Sequence, residues 1–206
     1  MAERLAASRM PRNRTARASV DDSENLSGIL GARSLAYFID SLMLCFMSVA
    51  FIGVGFGVLL LRSHGGTKDV PDAALWDFVF VSLATIPALA LILFAFLARR
   101  GQTVGHYMTG LIVVREDQGN PRLRQLLLYL LALHPLVFHP VLAGFWLLFA
   151  YISLSLTSSN VLVLGSLGVA ILCLLGPLVA LAMGMADAGH RGLHDRIAGL
   201  MVVRLE

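Results

Sequence analysis

ARSLAYFIDSLMLCFMSVAFIGVGFGVLLLR, residues 32–62, decides the fold of this chain. After Arg33 and Asp40 come twenty-one residues without a charge, ending at Arg62. The apolar run Leu35–Leu61 has 27 residues, more than the ~20 an α-helix needs to cross ~30 Å of hydrocarbon. Three further runs follow: Ala73–Ala98, Leu126–Leu156 and Val161–Ala186. The chain is 57% hydrophobic and 14% charged, with a mean hydropathy of +0.78; soluble domains carry roughly 25% charged residues. A chain of 206 residues cannot bury four such helices on every side. It therefore reads as an all-α integral membrane protein with four transmembrane helices in two tandem hairpins. Each hairpin is followed by a short cytoplasmic helix or turn and a strand.

The basic residues set the orientation. Of the 16 lysines and arginines, only Arg62 and Lys68 fall on one side of the four runs. The positive-inside rule then predicts cytoplasmic termini and a cytoplasmic central loop, in a cell (inner or plasma) membrane. Trp76, at the outer start of the second run, suits an interfacial aromatic. Residues 1–28, with Arg4, Arg9, Arg12, Arg14 and Arg17 among Ser, Pro and acidic residues, read as a disordered basic cytoplasmic arm. No apolar h-region follows, so no secretory signal peptide is expected. The Arg- and Ser-containing start also fits a mitochondrial transit peptide, but a basic arm explains the same letters. Residues 29–206 form the membrane domain. Cys45 and Cys173 lie inside apolar runs and read as small hydrophobes, without a disulfide or a metal.

A repeat lies in the polar segments. Shifting by 89 positions lays Gly110-Leu111-Ile112-Val113-Val114-Arg115 onto Gly199-Leu200-Met201-Val202-Val203-Arg204, with one difference. Each copy follows two apolar runs, giving units of about 29–116 and 118–206, and the same shift puts Arg33 onto Arg122. Two spans per unit give both copies one orientation. LIVV and LMVV are strand formers, and an unpaired strand is a liability. The two segments are therefore expected to pair under the bilayer.

Three blocks, ARSLAYFID (32–40), GQTVGHYMTGLIVV (101–114) and HRGLHDRIAGLMVV (190–203), resemble in order and spacing the signature of the RDD family of integral membrane proteins. The resemblance covers nearly everything from Gly28 to Val203. The family takes its name from one arginine and two aspartates, which by position are Arg33, Asp40 and Asp195. Proposals for its members include monovalent cation/proton exchange and scaffolding within membrane complexes. The chain departs from the pattern at Val104, where a proline is usual, and at His106, where a basic residue is usual. A third departure is near Tyr129, where an arginine is frequent, and it removes a counter-charge for an acid there.

Arg33 and Asp40, seven apart, share one helix face about 10 Å apart along the axis. Asp40 reads either as an ion- or proton-binding carboxylate or as half of a topology-fixing pair with Arg33. The run of 27 residues would be roughly 40 Å long as a helix, an excess that lets Asp40 sit at the cytoplasmic interface. Asp195, in GLHDRIAG, is expected to form a salt bridge with Arg33 that docks the C-terminal segment under the first span.

In the third run, HPLVFHP (134–140) places His134, Pro135, His139 and Pro140 in one stretch. Two prolines five apart should kink or break the helix, and broken helices often line transporter sites. His134 and His139 read as structural or as a proton relay. A shared metal would need the kink to bring them together, and zinc sites generally use three or four protein ligands. No metal or other cofactor is implied.

Small residues four apart, Gly53/Gly57 and Ala180/Gly184, permit close helix approach, within the monomer or in a homodimer. Arg99, Arg100, Arg122 and Arg124 suit anionic lipid headgroups or serve topology alone. GQTVG lacks the Walker lysine, and neither G-x-S-x-G nor H-E-x-x-H occurs. An enzyme is not expected, and the basic arm alone does not make a nucleic-acid binder. Two functions follow: a scaffold or accessory subunit of a membrane complex, or a small secondary transporter for monovalent cations and protons. The second would use Asp40 and the broken third helix with His134 and His139.

Overall fold

The structure, a computed structural model, describes residues 24–187 and 191–205. Four helical stretches are long and apolar enough to cross a membrane. The first, α1 (Glu24–Arg62), runs unbroken for 39 residues. The second is α2 (Asp72–Leu83) followed by α3 (Thr85–Arg100), joined through Ala84 in helical conformation. The others are α6 (Pro140–Thr157) and α7 (Asn160–Ala186). Only 17–33% of each apolar window is buried within the protein. Side chains such as Phe46, Leu61 and Val161 stand 77–81% exposed. Surfaces of that size and character need an apolar solvent.

α1 packs on α2 and α6 on α7, while α2 meets α6 between the halves. Gly55 permits the first of these contacts, since a Cβ there would lie 3.0 Å from the Phe78 ring and 3.1 Å from its carbonyl oxygen. α1 begins at Glu24, inside the range read as the basic arm; the rest of that arm, residues 1–23, lies outside the described residues.

The third apolar run differs from a single span. It divides into α5 (Leu123–Leu131), a non-helical link, and α6. The cause lies in the two prolines. Pro135 cannot donate a backbone hydrogen bond, and Pro140 is placed at the first turn of α6, where no donor is needed. His139 caps that turn by accepting from the Val141 N–H at 3.2 Å.

Two short helices, α4 (Val104–Thr109) and α8 (Leu193–Ala198), each lead into a strand, β1 (Leu111–Arg115) and β2 (Leu200–Arg204). The 89-residue shift carries α4 onto α8 and β1 onto β2 residue for residue. Both helices end at a glycine in the left-handed region, Gly110 at φ 70° and Gly199 at φ 62°, where a side chain would be strained. The strands pair antiparallel, with Leu111 opposite Arg204 and Val113 opposite Val202. Val113 and Val202 are also equivalent under the shift, so the register is symmetric about that pair. Leu111, Val113, Leu200 and Val202 are buried on the inner face and join Leu89, Leu93, Leu97, Leu126 and Leu130 in one core. This core lies beneath the helices and fixes the short helices against α1 and α5.

Candidate functional site

The site is built where α4 and α8 meet the long helices. Asp40 is 2% exposed. Its Oδ1 accepts from the Gly105 N–H at 2.8 Å, and its Oδ2 accepts from the Thr103 hydroxyl at 2.6 Å. Thr103 also caps α4, accepting from the His106 N–H at 3.1 Å. Gly105 is required here, because a Cβ would lie 2.1 Å from the Ala36 carbonyl oxygen. The Arg33–Asp40 pair weighed from the sequence is thus replaced. Seven residues separate the two by about two helical turns, and the N-terminus of α4 supplies closer donors to Asp40.

Arg33 instead forms an ion pair with Asp195, whose carboxylate is fully buried. The same Asp195 Oδ2 accepts from the Gly192 N–H at 2.8 Å, capping α8. α8 thereby docks against α1 across 162 positions of sequence. A buried carboxylate with a guanidinium and a backbone donor is held in place. Removing the arginine would leave the charge uncompensated, which costs about 3–5 kcal/mol.

The two histidines of the third run go to different places. His139 Nε2 lies 3.1 Å from Ser41 Oγ, and its ring is tilted against Tyr37. His134 turns inward, its Nδ1 accepting from the Leu136 N–H at 3.2 Å. Its ring forms a triangle with Tyr129 and His194, with centroids 4.8–5.0 Å apart. The link thus separates the two histidines rather than joining them on one ligand. Among the described residues no three His, Cys, Asp or Glu side chains are grouped to hold a metal ion.

A cavity of about 300 Å³ lies over this cluster, lined by Arg33, Asp40, Thr103, His106, His134 and His194 on its polar side. Pro135 lines it as well, while His139 and Pro140 do not. Burial, aided by the Arg33 charge and opposed by Asp195, pushes His106 down to about 4. Burial, with Arg33 and His106 nearby, brings His194 to about 3. Burial and the neighbouring His194 hold His134 well below its ordinary value, and burial also lowers His139. Burial raises the Tyr129 phenol. All of these rings are therefore neutral at physiological pH. A neutral imidazole offers one donor and one acceptor nitrogen, so the cavity presents directional hydrogen-bonding groups beside one matched ion pair.

Sequence reasoning passed over His194, Thr103 and Gly105, and it treated His106 and Tyr129 only as departures from a pattern. The 89-residue shift holds the missing signal. It carries Asp40 onto Tyr129, Thr103 onto Gly192, Gly105 onto His194 and His106 onto Asp195, so these four each mark a site residue in the other half.

Four long apolar helices, mostly unburied, define a multi-pass membrane protein. The RDD family model matches residues 28–199, and the chain belongs to the RDD family. No curated protein and no solved structure matches the chain.

Proposed function

We propose that the protein is a scaffold or accessory subunit of a complex in the plasma (inner) membrane and not an enzyme, with its termini, α4, α8 and the strand pair on the cytoplasmic side. One observation carries this reading: both family aspartates are engaged by the protein itself. Asp40 holds α4 through Thr103 and Gly105, and Asp195 holds α8 to Arg33. The acids tie short helices to a long one, which makes a rigid platform for partners. Exposed Arg99, Arg100, Arg122 and Arg124 border the platform and suit anionic lipid at about 1 kcal/mol each near the surface. The orientation rests on the distribution of basic residues.

A second reading, exchange of monovalent cations for protons, is favoured by the break before α6, which opens beside the cavity that Asp40 and His134 line. Reconstituted vesicles separate the two. The scaffold reading expects cation-driven proton flux equal to that of protein-free vesicles, whereas exchange expects flux that Asp40→Asn abolishes. In native membranes the scaffold reading also expects the protein in a complex that Arg33→Glu disperses and Arg33→Lys retains. Flux from the wild type, or free wild-type protein in those membranes, would overturn it.

A further inference from the structure

The cavity beside Arg33 has two unlike walls. Its floor carries Arg33, Asp40, His106 and His194, while its outer wall is Leu30 of α1 with Leu178 and Leu181 of α7. The two α7 leucines are 63% and 48% exposed. α1 packs mainly on α2 and α4, and α7 on α6 and α8. The helices that wall the cavity thus belong to different packing groups, and the gap between them faces the apolar surroundings of the spans.

Two polar atoms on the floor are unmatched. His106 Nδ1 and His194 Nδ1 are buried without a hydrogen-bond partner among the described residues, in side chains of residues only 8% and 4% exposed. A buried polar atom left unpaired loses its hydration without compensation. Two of them on one cavity floor mark the seat of a ligand's polar head.

The floor also selects the head. His194 Nε2 lies 3.5 Å from Asp195 Oδ1. No hydrogen bond joins them, since Asp195 Oδ1 is itself without a partner among the described residues, so the neutral ring is free to carry its proton on either nitrogen and Nδ1 can donate or accept. A head that both donates and accepts matches His106 Nδ1 and His194 Nδ1 in either form, which a ketone or an ether, acceptors only, does not. An anionic head would compete with Asp195 for Arg33 and meet the Asp40 carboxylate as well. An ammonium would lose strong hydration against an apolar wall, and Asp40 already accepts two hydrogen bonds. A hydroxyl donates, accepts and carries no charge.

We propose that this cavity binds a lipid alcohol from the bilayer, its hydroxyl hydrogen-bonded to His194 Nδ1 and its chain leaving between Leu30 and Leu178. The site is independent of whether the protein serves as a scaffold or a transporter. The test uses the full chain in nanodiscs and a dodecanol carrying a mid-chain diazirine. The matched methyl ether, carboxylic acid and amine serve as comparison probes, and adducts are mapped by mass spectrometry. The alcohol should label peptides containing Leu30 or Leu178–Leu181 saturably, at least tenfold above the other three probes. His194→Phe should reduce alcohol labelling to the level of the ether. Ala180→Phe, which fills the cavity from α7 without altering the floor, should cut labelling at least tenfold, with its fold checked by thermal melting. If neither variant folds, the wild-type ratio of alcohol to ether decides. Non-saturable labelling, equal labelling by the ether, or preference for the acid or amine would overturn the proposal.

Discussion

In the first half of the chain the long helix is continuous and carries the acid: Asp40, in α1, receives Thr103 and Gly105 from α4. In the second half the corresponding stretch is broken into α5 and α6, and Tyr129 stands at the position of Asp40. The acid has moved to the short helix, as Asp195 of α8, opposite His106 in the repeat. Its partner is Arg33, which belongs to the other half. The acid of the first half is therefore held within that half, while the acid of the second is held by the first. The two halves carry differently placed charges, and the Arg33–Asp195 contact crosses between them.

Apart from the ion pair itself, the largest effect should come from Gly105, whose counterpart in the second half is His194. Gly105→Ala places a Cβ against the Ala36 backbone and separates α4 from Asp40. A loss of about 3 kcal/mol or more is expected, visible as a large fall in melting temperature in detergent.

The histidines come next. In the unfolded chain they take up protons below about pH 6.5, but in the folded protein His106 does so only near 4 and His194 near 3. The unfolded state therefore binds more protons across that window. Stability should be full above pH 6.5 and fall as pH drops toward 3, by up to about 1.4 kcal/mol per pH unit for each histidine. Replacing either histidine with phenylalanine should flatten the decline in a pH series of thermal melts, and an unchanged slope would contradict their burial as neutral rings.

Thr103→Val removes the α4 cap and one donor to Asp40, for an expected loss of about 1–2 kcal/mol. Gly192, its counterpart, has no side chain to lose, so the first half alone should loosen, as faster amide exchange in α4 than in α8. The smallest effect lies at the opposite end. Arg62 and Asp77 form an exposed pair at 3.2 Å, where the second half has Tyr151 and Ser166. Asp77→Asn should change stability by less than about 1 kcal/mol.

Much of this comparison is legible in the letters. The four apolar runs, the break at Pro135 and Pro140, and the two strand segments follow from chain length, proline chemistry and a short repeat. The partners of Asp40 do not, because Thr103 and Gly105 lie 63 and 65 positions away and a lone threonine and glycine have no periodicity. His194 was equally silent, since a histidine on a six-residue helix shows no face until the helix has docked. The Arg33–Asp195 contact was reachable only through the family blocks, whereas its depth and the cavity above it depend on the fold.

That contact is also where the central claim, a buried ion pair that locks α8 onto α1 beside the strand pair and the shared core, is most exposed to test. A double-mutant cycle would measure unfolding of Arg33→Ala, Asp195→Ala and the double variant. Each single variant should lose about 3–5 kcal/mol, and the double variant should lose no more than the worse single, a coupling of at least about 3 kcal/mol. Additive losses would mean that the two residues act separately and would contradict the lock.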